Sequence, residues 1–471
     1  MIATTLPSTG VLLAGAVAAL LAIAVLTLVM RRHPQAFPLL AVVALPFRLP
    51  ISTDGRTVNL LLPLYAVVAA GVLAHLLPRL LSHAASRNEA VEGGGGSYSY
   101  DSGRPPMLLD WLLLASVVLY VLQASYSTDI TKAAENVGFF YVPFGLLYVL
   151  LREAPWTQRL VLRCLAAAVA LAAVFAGVGF IEYYRKALFL NPKVVAANEY
   201  GNYFRVNSLF FDPSIYGRFL ALVMIAVSTV VLWSRAQRTQ LIGAGVLAWL
   251  MAGLITSFSQ SSIAALLLGL AVLAAWRWDV RGTVYVSVAL AAIAAVVVLA
   301  APSSLHFGLN GSGASANNAT NGRTNLISGG LKLFEQRPLE GYGTGSFETE
   351  YKRHGNATAA NATSASHTIP VTIAAEQGIV GLALYIALLV VAFITLFSRA
   401  ARSPPRIALA ACFAALVLHT WVYADFLEDP LTWTLLGIGV ALASMRDGIF
   451  VGDNHARASE GSPPSPVTTP G

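Results

Sequence analysis

Three short stretches carry ionisable residues beside long apolar runs: "RVNSLFFDPSIYGRF" with Arg205, Asp212 and Arg218, "NGRTNLISGG" with Arg323, and "HTIPVTIAAEQGIVG" with His367 and Glu376. An ionisable side chain that faces lipid costs roughly 3 kcal/mol or more, so each of these groups needs a partner or a water-filled cavity. Asp212 followed by Pro213 predicts a helix start, with the carboxylate capping the first turn and proline at its first position. Thr368 and Pro370 repeat the arrangement, with His367 at the positive end of the second helix. Two helix N-termini, each equivalent to about half a positive charge, join Arg205, Arg218 and Arg323 in a site suited to phosphate oxygens. The ligand this predicts is anionic and lipid-borne.

The same residues have plainer readings. Arg218 lies roughly 8 Å below its helix start at 1.5 Å per residue, where it could snorkel to the interface, and Arg205 could pair with Asp212. Glu376 follows His367 by nine residues, half a turn out of phase on a straight helix, so it reads as a helix anchor within the bundle rather than as a catalytic acid. The aromatic residues of "NEYGNYFRVNSLFF" and "EGYGTGSF", Tyr342 among them, fit sugar stacking and an interfacial belt equally well. No D-x-D pair, phosphate loop, H-E-x-x-H or G-x-S-x-G occurs, which predicts a site without metal or cofactor. The acidic "DFLEDP" (Asp425, Glu428, Asp429) is the remaining place for a divalent ion, and Asp429 before Pro430 is more simply a helix cap.

The elements that must position these groups are membrane helices. The chain has 471 residues, 56% of them hydrophobic and 11% charged, with a mean hydropathy of +0.68. Apolar windows predict spans near 9–30, 36–51, 58–78, 107–126, 133–151, 158–181, 213–233, 241–258, 262–276, 282–301, 370–397, 405–424 and 431–445. The expected fold is all-α, a polytopic transmembrane helical bundle of about 12–13 spans with a large extracytoplasmic loop. The net charge of +7 comes from arginines clustered in every second loop, which points to positive-inside topology and not to nucleic acid. That distribution puts 182–212, 302–369, "SFSQSS" and "DFLEDP" outside and the C-terminus in the cytoplasm. The organisation read from this is N-terminal helices at 1–81, a Gly/Ser-rich cytoplasmic linker at 82–106, and central helices at 107–301. The outer loop (302–369), C-terminal helices (370–446) and a disordered tail (447–471) follow. Cys164 and Cys412 lie inside apolar runs and offer no disulfide framework.

The chain resembles the O-antigen ligase and polymerase-like superfamily of bacterial membrane glycosyltransferases, whose ligases carry a pattern like H-[NSQ]-x9-G-x-x-G at the end of a large periplasmic loop. Here His367 and Thr368 are followed by nine residues and "GIVG", with Gly378 and Gly381 in place and Thr368 replacing Asn, Ser or Gln. "RVNSLFFDPSIYGRFLAL", "GRTNL…EQRPLEGYGTGSFETEY" and "TSFSQSSIAALLLG" are similar to three further family segments, with Gln260 standing where many members have Arg. The resemblance implies transfer or polymerisation of glycan from an undecaprenyl-diphosphate-linked oligosaccharide donor to a glycan or lipid acceptor. It places this at the outer leaflet of the inner (plasma) membrane, alongside polysaccharide assembly proteins and without metal or cofactor. Carried over, Arg205 and Arg323 hold the diphosphate and His367 takes or orients the acceptor hydroxyl proton; Arg218 and Tyr342 are added as substrate-binding candidates, with Asp212, Glu376, Gly378 and Gly381 in support. The alternative from another class is a membrane transporter of lipid-linked glycan or a small anion, for which broken helices near mid-membrane and two similar halves are the expected marks.

Overall fold

The computed structural model describes residues 9–53, 56–82, 107–189, 204–278, 281, 285, 323–354, 366, 368–398 and 400–445. In chain order the elements begin with α1 (Thr9–Arg32), α2 (Ala36–Ala44), the antiparallel pair β1 (Leu49–Thr53) and β2 (Arg56–Leu60), and α3 (Leu62–Ser82). Next come α4 (Leu108–Ala124), α5 (Ile130–Glu153), α6 (Gln158–Arg185), α7 (Pro213–Trp233), α8 (Gln237–Ser257) and α9 (Gln260–Arg277). Two shorter, more polar helices, α10 (Arg323–Gln336) and α11 (Phe347–Arg353), precede α12 (Ile369–Phe397), α13 (Pro404–Trp421) and α14 (Pro430–Ala443).

Among the described residues nine helices are long and apolar enough to cross a membrane, and α4 and α14 are shorter apolar helices beside them. The protein is an all-α, polytopic helical bundle. Helix α7 is its central post, packed against α6, α8, α9 and α13, while α14 packs on α5 and α13. Close approach relies on small residues: a Cβ at Gly217 would crowd the Ser257 and Ser262 hydroxyls, and one at Gly253 would crowd Ala176 and Tyr216.

The predicted span at 36–51 is corrected. Helix α2 ends at Ala44, and at about 1.5 Å per residue it is far too short to cross a bilayer. Pro46 and Pro50 disfavour helix in the residues before them, and the β-branched flanks of Asp54-Gly55 pair as a hairpin with Ile51 opposite Val58. A hydropathy window averages these unlike pieces into one apolar run. The hairpin is a short addition to a helical fold. Nearly all of the predicted span at 282–301 and of the linker at 82–106, and the tail at 447–471, lie outside the described residues.

Helix α12 is not one rod. Gly378 adopts φ 65° and ψ −160°, a conformation essentially confined to glycine, and divides the helix there. The part after the break, 379–397, has about 19 residues and a length of roughly 28 Å, close to the thickness of the hydrocarbon core. The first part, 369–377, is in excess of the length a span requires. Non-helical backbone needs new hydrogen bonds, and the loop between α10 and α11 supplies them. Tyr342 N donates to Ala375 O (3.2 Å), Gly343 N to Glu376 O (2.8 Å), and Ile379 N to Pro338 O (2.7 Å).

Candidate functional site

The N-termini of α7 and α14 are linked by the Arg218–Asp429 ion pair, α12 packs on α13 and α14, and local sequence explains two of these three helix starts. Asp212 caps α7 through a 2.6 Å bond from Ser214 N, and Asp429 caps α14 through a 2.9 Å bond from Leu431 N. Each is followed by proline at the first helical position. At α12 the Thr368 side chain does not cap. The buried Ser366 instead ties the chain before the helix to its first turn, its Oγ donating to Thr368 O (2.7 Å) and its N–H to Thr372 Oγ1 (3.1 Å).

Around α7 the polar groups form a connected set. Half-buried Arg205 donates from Nε to Ser257 O at the end of α8 (3.2 Å), and Val206 N donates to Thr256 O (3.2 Å), so the segment before α7 lies along the α8 terminus. The turn between α8 and α9 is lined with buried serines: Ser259 bonds Ser262 (2.7 Å), and Ser261 and Ser262 lie 3.3 and 3.2 Å from Nε2 of His419. The His419 ring sits 5.5 Å from that of Tyr423. Arg218 neither snorkels nor faces outward. Its side chain is fully buried and ion-paired with Asp429, so one carboxylate both caps α14 and balances the guanidinium.

The acidic loop between α13 and α14 packs its carboxyl groups against α5 and α7. Glu428 Oε1 accepts hydrogen bonds from Asn136 Nδ2 (3.1 Å) and the Tyr141 hydroxyl (3.2 Å). The Tyr141 ring stacks on Tyr120 with centroids 3.9 Å apart. Burial away from water, reinforced by the Asp425 charge, pushes the Glu428 carboxyl from 4.5 up to about 7. Burial raises Asp425 as well, opposed by the charges of Arg218 and Arg48. Because the folded-state value for Glu428 is raised, its stabilising contribution is full below about pH 4.5 and is lost as pH rises through 7. Glu428→Gln is therefore expected to raise the unfolding temperature of the detergent-purified protein more at pH 8 than at pH 5. An equal increment at the two pH values would contradict the shift.

A second group lies on the first part of α12. The Glu376 carboxylate accepts the N–H groups of Gly345 and Phe347, each at 3.0 Å, at the start of α11. Gly341, Gly343 and Gly345 all have positive φ, and a side chain at Gly343 would overlap the Ser127 backbone. The anchoring reading of Glu376 matches this geometry. A Cβ at Gly378 would collide with Leu339 O, which accounts for glycine at that spacing, and Gly381 packs against the Gln377 side chain. Tyr342 is buried in a small core with Leu326, Leu333, Phe347 and Tyr351. Its hydroxyl donates to Gln336 Oε1 (2.7 Å), Arg337 lies over its ring, and burial lifts its phenol above the ordinary value. It packs the α10–α11 unit rather than opening to a ligand. Arg323 begins α10. Its side chain, and the whole of His367, lie outside the described residues.

Sequence reading passed over Arg48, Asn136, Tyr141 and His419, and considered Glu428 for a metal alone. The signal available was a polar residue inside an apolar span, which marks Asn136 and His419. Arg48 was hidden inside the misread span at 36–51.

Residues 244–386 match the family described as O-antigen ligase. Over that stretch the chain is O-antigen ligase-like. The match runs from α8 through the serine-lined turn and the α10–α11 unit into α12, and so takes in Arg323, Tyr342, His367, Glu376, Gly378 and Gly381. It supports a multi-pass membrane enzyme that ligates or polymerises glycan. No curated protein matches the chain. Arg205, Arg218 and the acidic loop lie outside the O-antigen ligase-like segment; Arg205 bonds to it at Ser257, and α13, which carries His419 and leads into the loop, packs on it at Ser261 and Ser262.

Proposed function

We propose that the protein is a membrane glycosyltransferase that transfers or polymerises glycan from an undecaprenyl-diphosphate-linked donor at the outer leaflet of the plasma membrane, with its C-terminus in the cytoplasm. The observation that carries the proposal is Arg205 held at the serine-lined start of the O-antigen ligase-like segment, beside the capped N-terminus of α7. A planar guanidinium at that place suits diphosphate oxygens. Charge balance is compatible with this. Asp429 neutralises Arg218, and the buried Asp425 feels the positive charges of Arg218 and Arg48.

In this reading the acceptor hydroxyl oxygen attacks the anomeric carbon, and the bond from that carbon to the diphosphate oxygen breaks. The prenyl diphosphate leaves, and the hydroxyl proton passes to His367. Arg205 and Arg323 face the charge that develops on the leaving diphosphate, where preorganised cations lower the barrier most. A neutral imidazole is suited to accept the proton near pH 7.

Gly378 bears on the transporter reading, since a broken helix is one of its marks. The break sits at the edge of the membrane-spanning portion and binds the α10–α11 unit, which favours an enzyme with an ordered outer cap.

Lysine in place of Arg205 or Arg323 keeps the charge and loses the planar fork. Each substitution is expected to lower glycan transfer by about 10²-fold with normal membrane insertion, the scale of losing one transition-state donor. Wild-type rates in both would reduce the two arginines to charge balance and sink the diphosphate assignment.

A further inference from the structure

An apolar groove of about 480 Å³ runs between α4 and α5 and is closed at the back by Trp433 of α14. Its volume is in the range of small-molecule pockets. Exposed Trp111, Leu114, Val142 and Val149 flank it, so it opens sideways toward lipid. Along α5 it extends from Tyr141 to Arg152, about 16 Å at 1.5 Å per residue.

The two ends differ. At the far end Asp110 accepts from the Tyr148 hydroxyl (2.5 Å) and forms an ion pair with Arg152, whose Nε lies 3.0 Å away, and Arg152 also pairs with Glu153. Those charges satisfy one another, and a headgroup would have to break them apart. At the near end Tyr141 lines the groove with its ring while its hydroxyl donates to Glu428 (3.2 Å), so the groove begins where the candidate site ends. Gly145 lies between, and its missing side chain leaves the Trp433 ring as the back wall, 4.0 Å from where a Cβ would stand.

We propose that this groove holds the hydrocarbon tail of the lipid donor, and that its depth makes the protein discriminate donors by tail length. The occupant is a chain and not a headgroup, because the walls are apolar, the mouth faces lipid, and the far charges are already paired. The inference rests on the glycosyltransferase reading for the identity of the donor. The groove supplies binding energy remote from the reacting carbon and thereby selects long-tailed carriers.

The test uses the full chain in lipid nanodiscs and two prenyl-diphosphate glycan donors that differ only in tail length, one long and one of two isoprene units. Wild-type protein is expected to show a KM about tenfold or more lower for the long-tailed donor, the scale of burying a few methylene groups. In Gly145→Leu, which fills the groove, the long-tailed KM is expected to rise to the short-tailed value, with kcat and the short-tailed KM little changed. Leu114→Trp narrows the groove from the α4 side and is expected to act alike should Gly145→Leu fail to fold. Equal KM values for the two tails in wild type, or equal losses for both donors in the two variants, would overturn the proposal. A long-tailed donor carrying a photoreactive group at its tail end separates the two readings. Crosslinks on α4 and α5 without turnover would uphold the groove and reject the transferase, whereas turnover with crosslinks confined elsewhere would reject the groove alone.

Discussion

Replacing Asp429 with asparagine is expected to destabilise the protein by about 3–5 kcal/mol, the usual consequence of leaving a buried charge without its counter-ion. Asparagine caps a helix about as well as aspartate, so the Leu431 N–H keeps its acceptor and the start of α14 survives. What is lost is the negative charge beside Arg218, a guanidinium with no solvent exposure. Adding Arg218→Met removes the stranded charge and is expected to recover most of the loss, since buried ion pairs are often replaced by apolar groups at little net change. Thermal unfolding in detergent of the two single variants and the double variant gives the coupling directly. A double variant as unstable as the sum of the singles would mean that the pair is not the source of the effect.

His367→Ala is expected to lower glycan transfer by about 10²–10⁴-fold, the contribution of a positioned general base, while the protein is expressed and inserted as before. The position lies one residue before Thr368, whose carbonyl is held by Ser366 and Thr372 at the start of α12. The first part of that helix is fixed by Glu376 to the α10–α11 unit. Transfer of a labelled glycan, measured against protein level in the membrane, checks the expectation. Undiminished product would remove His367 from the mechanism.

Local chemistry was legible in the sequence, and distant contacts were not. Asp212-Pro213 and Asp429-Pro430 announced helix starts because a cap and its proline are neighbours in the chain. The recurrent apolar windows gave the helical bundle for the same reason. The role of Glu376 as an anchor was readable, but its partners Gly345 and Phe347 were not, and neither was the collision with Leu339 O that makes Gly378 a glycine. Arg218 was assigned to a ligand because its partner Asp429 lies in a different helix. Glu428 was weighed only for a metal, because Asn136 and Tyr141 were concealed in an apolar span nearly 300 residues earlier. Thr368 reads as a cap from its place before Pro370, but its side chain makes no capping bond, and Ser366 ties the preceding chain to the first turn instead.

The central claim is that a lipid diphosphate is cleaved at the outward end of the bundle. The most direct measurement reconstitutes the purified protein in vesicles with a prenyl-diphosphate glycan labelled on both the sugar and the lipid. Release of unglycosylated prenyl diphosphate in step with glycan appearing on an acceptor is the expected result. Movement of the intact doubly labelled lipid across the bilayer, with no diphosphate released, would contradict it and make the protein a carrier.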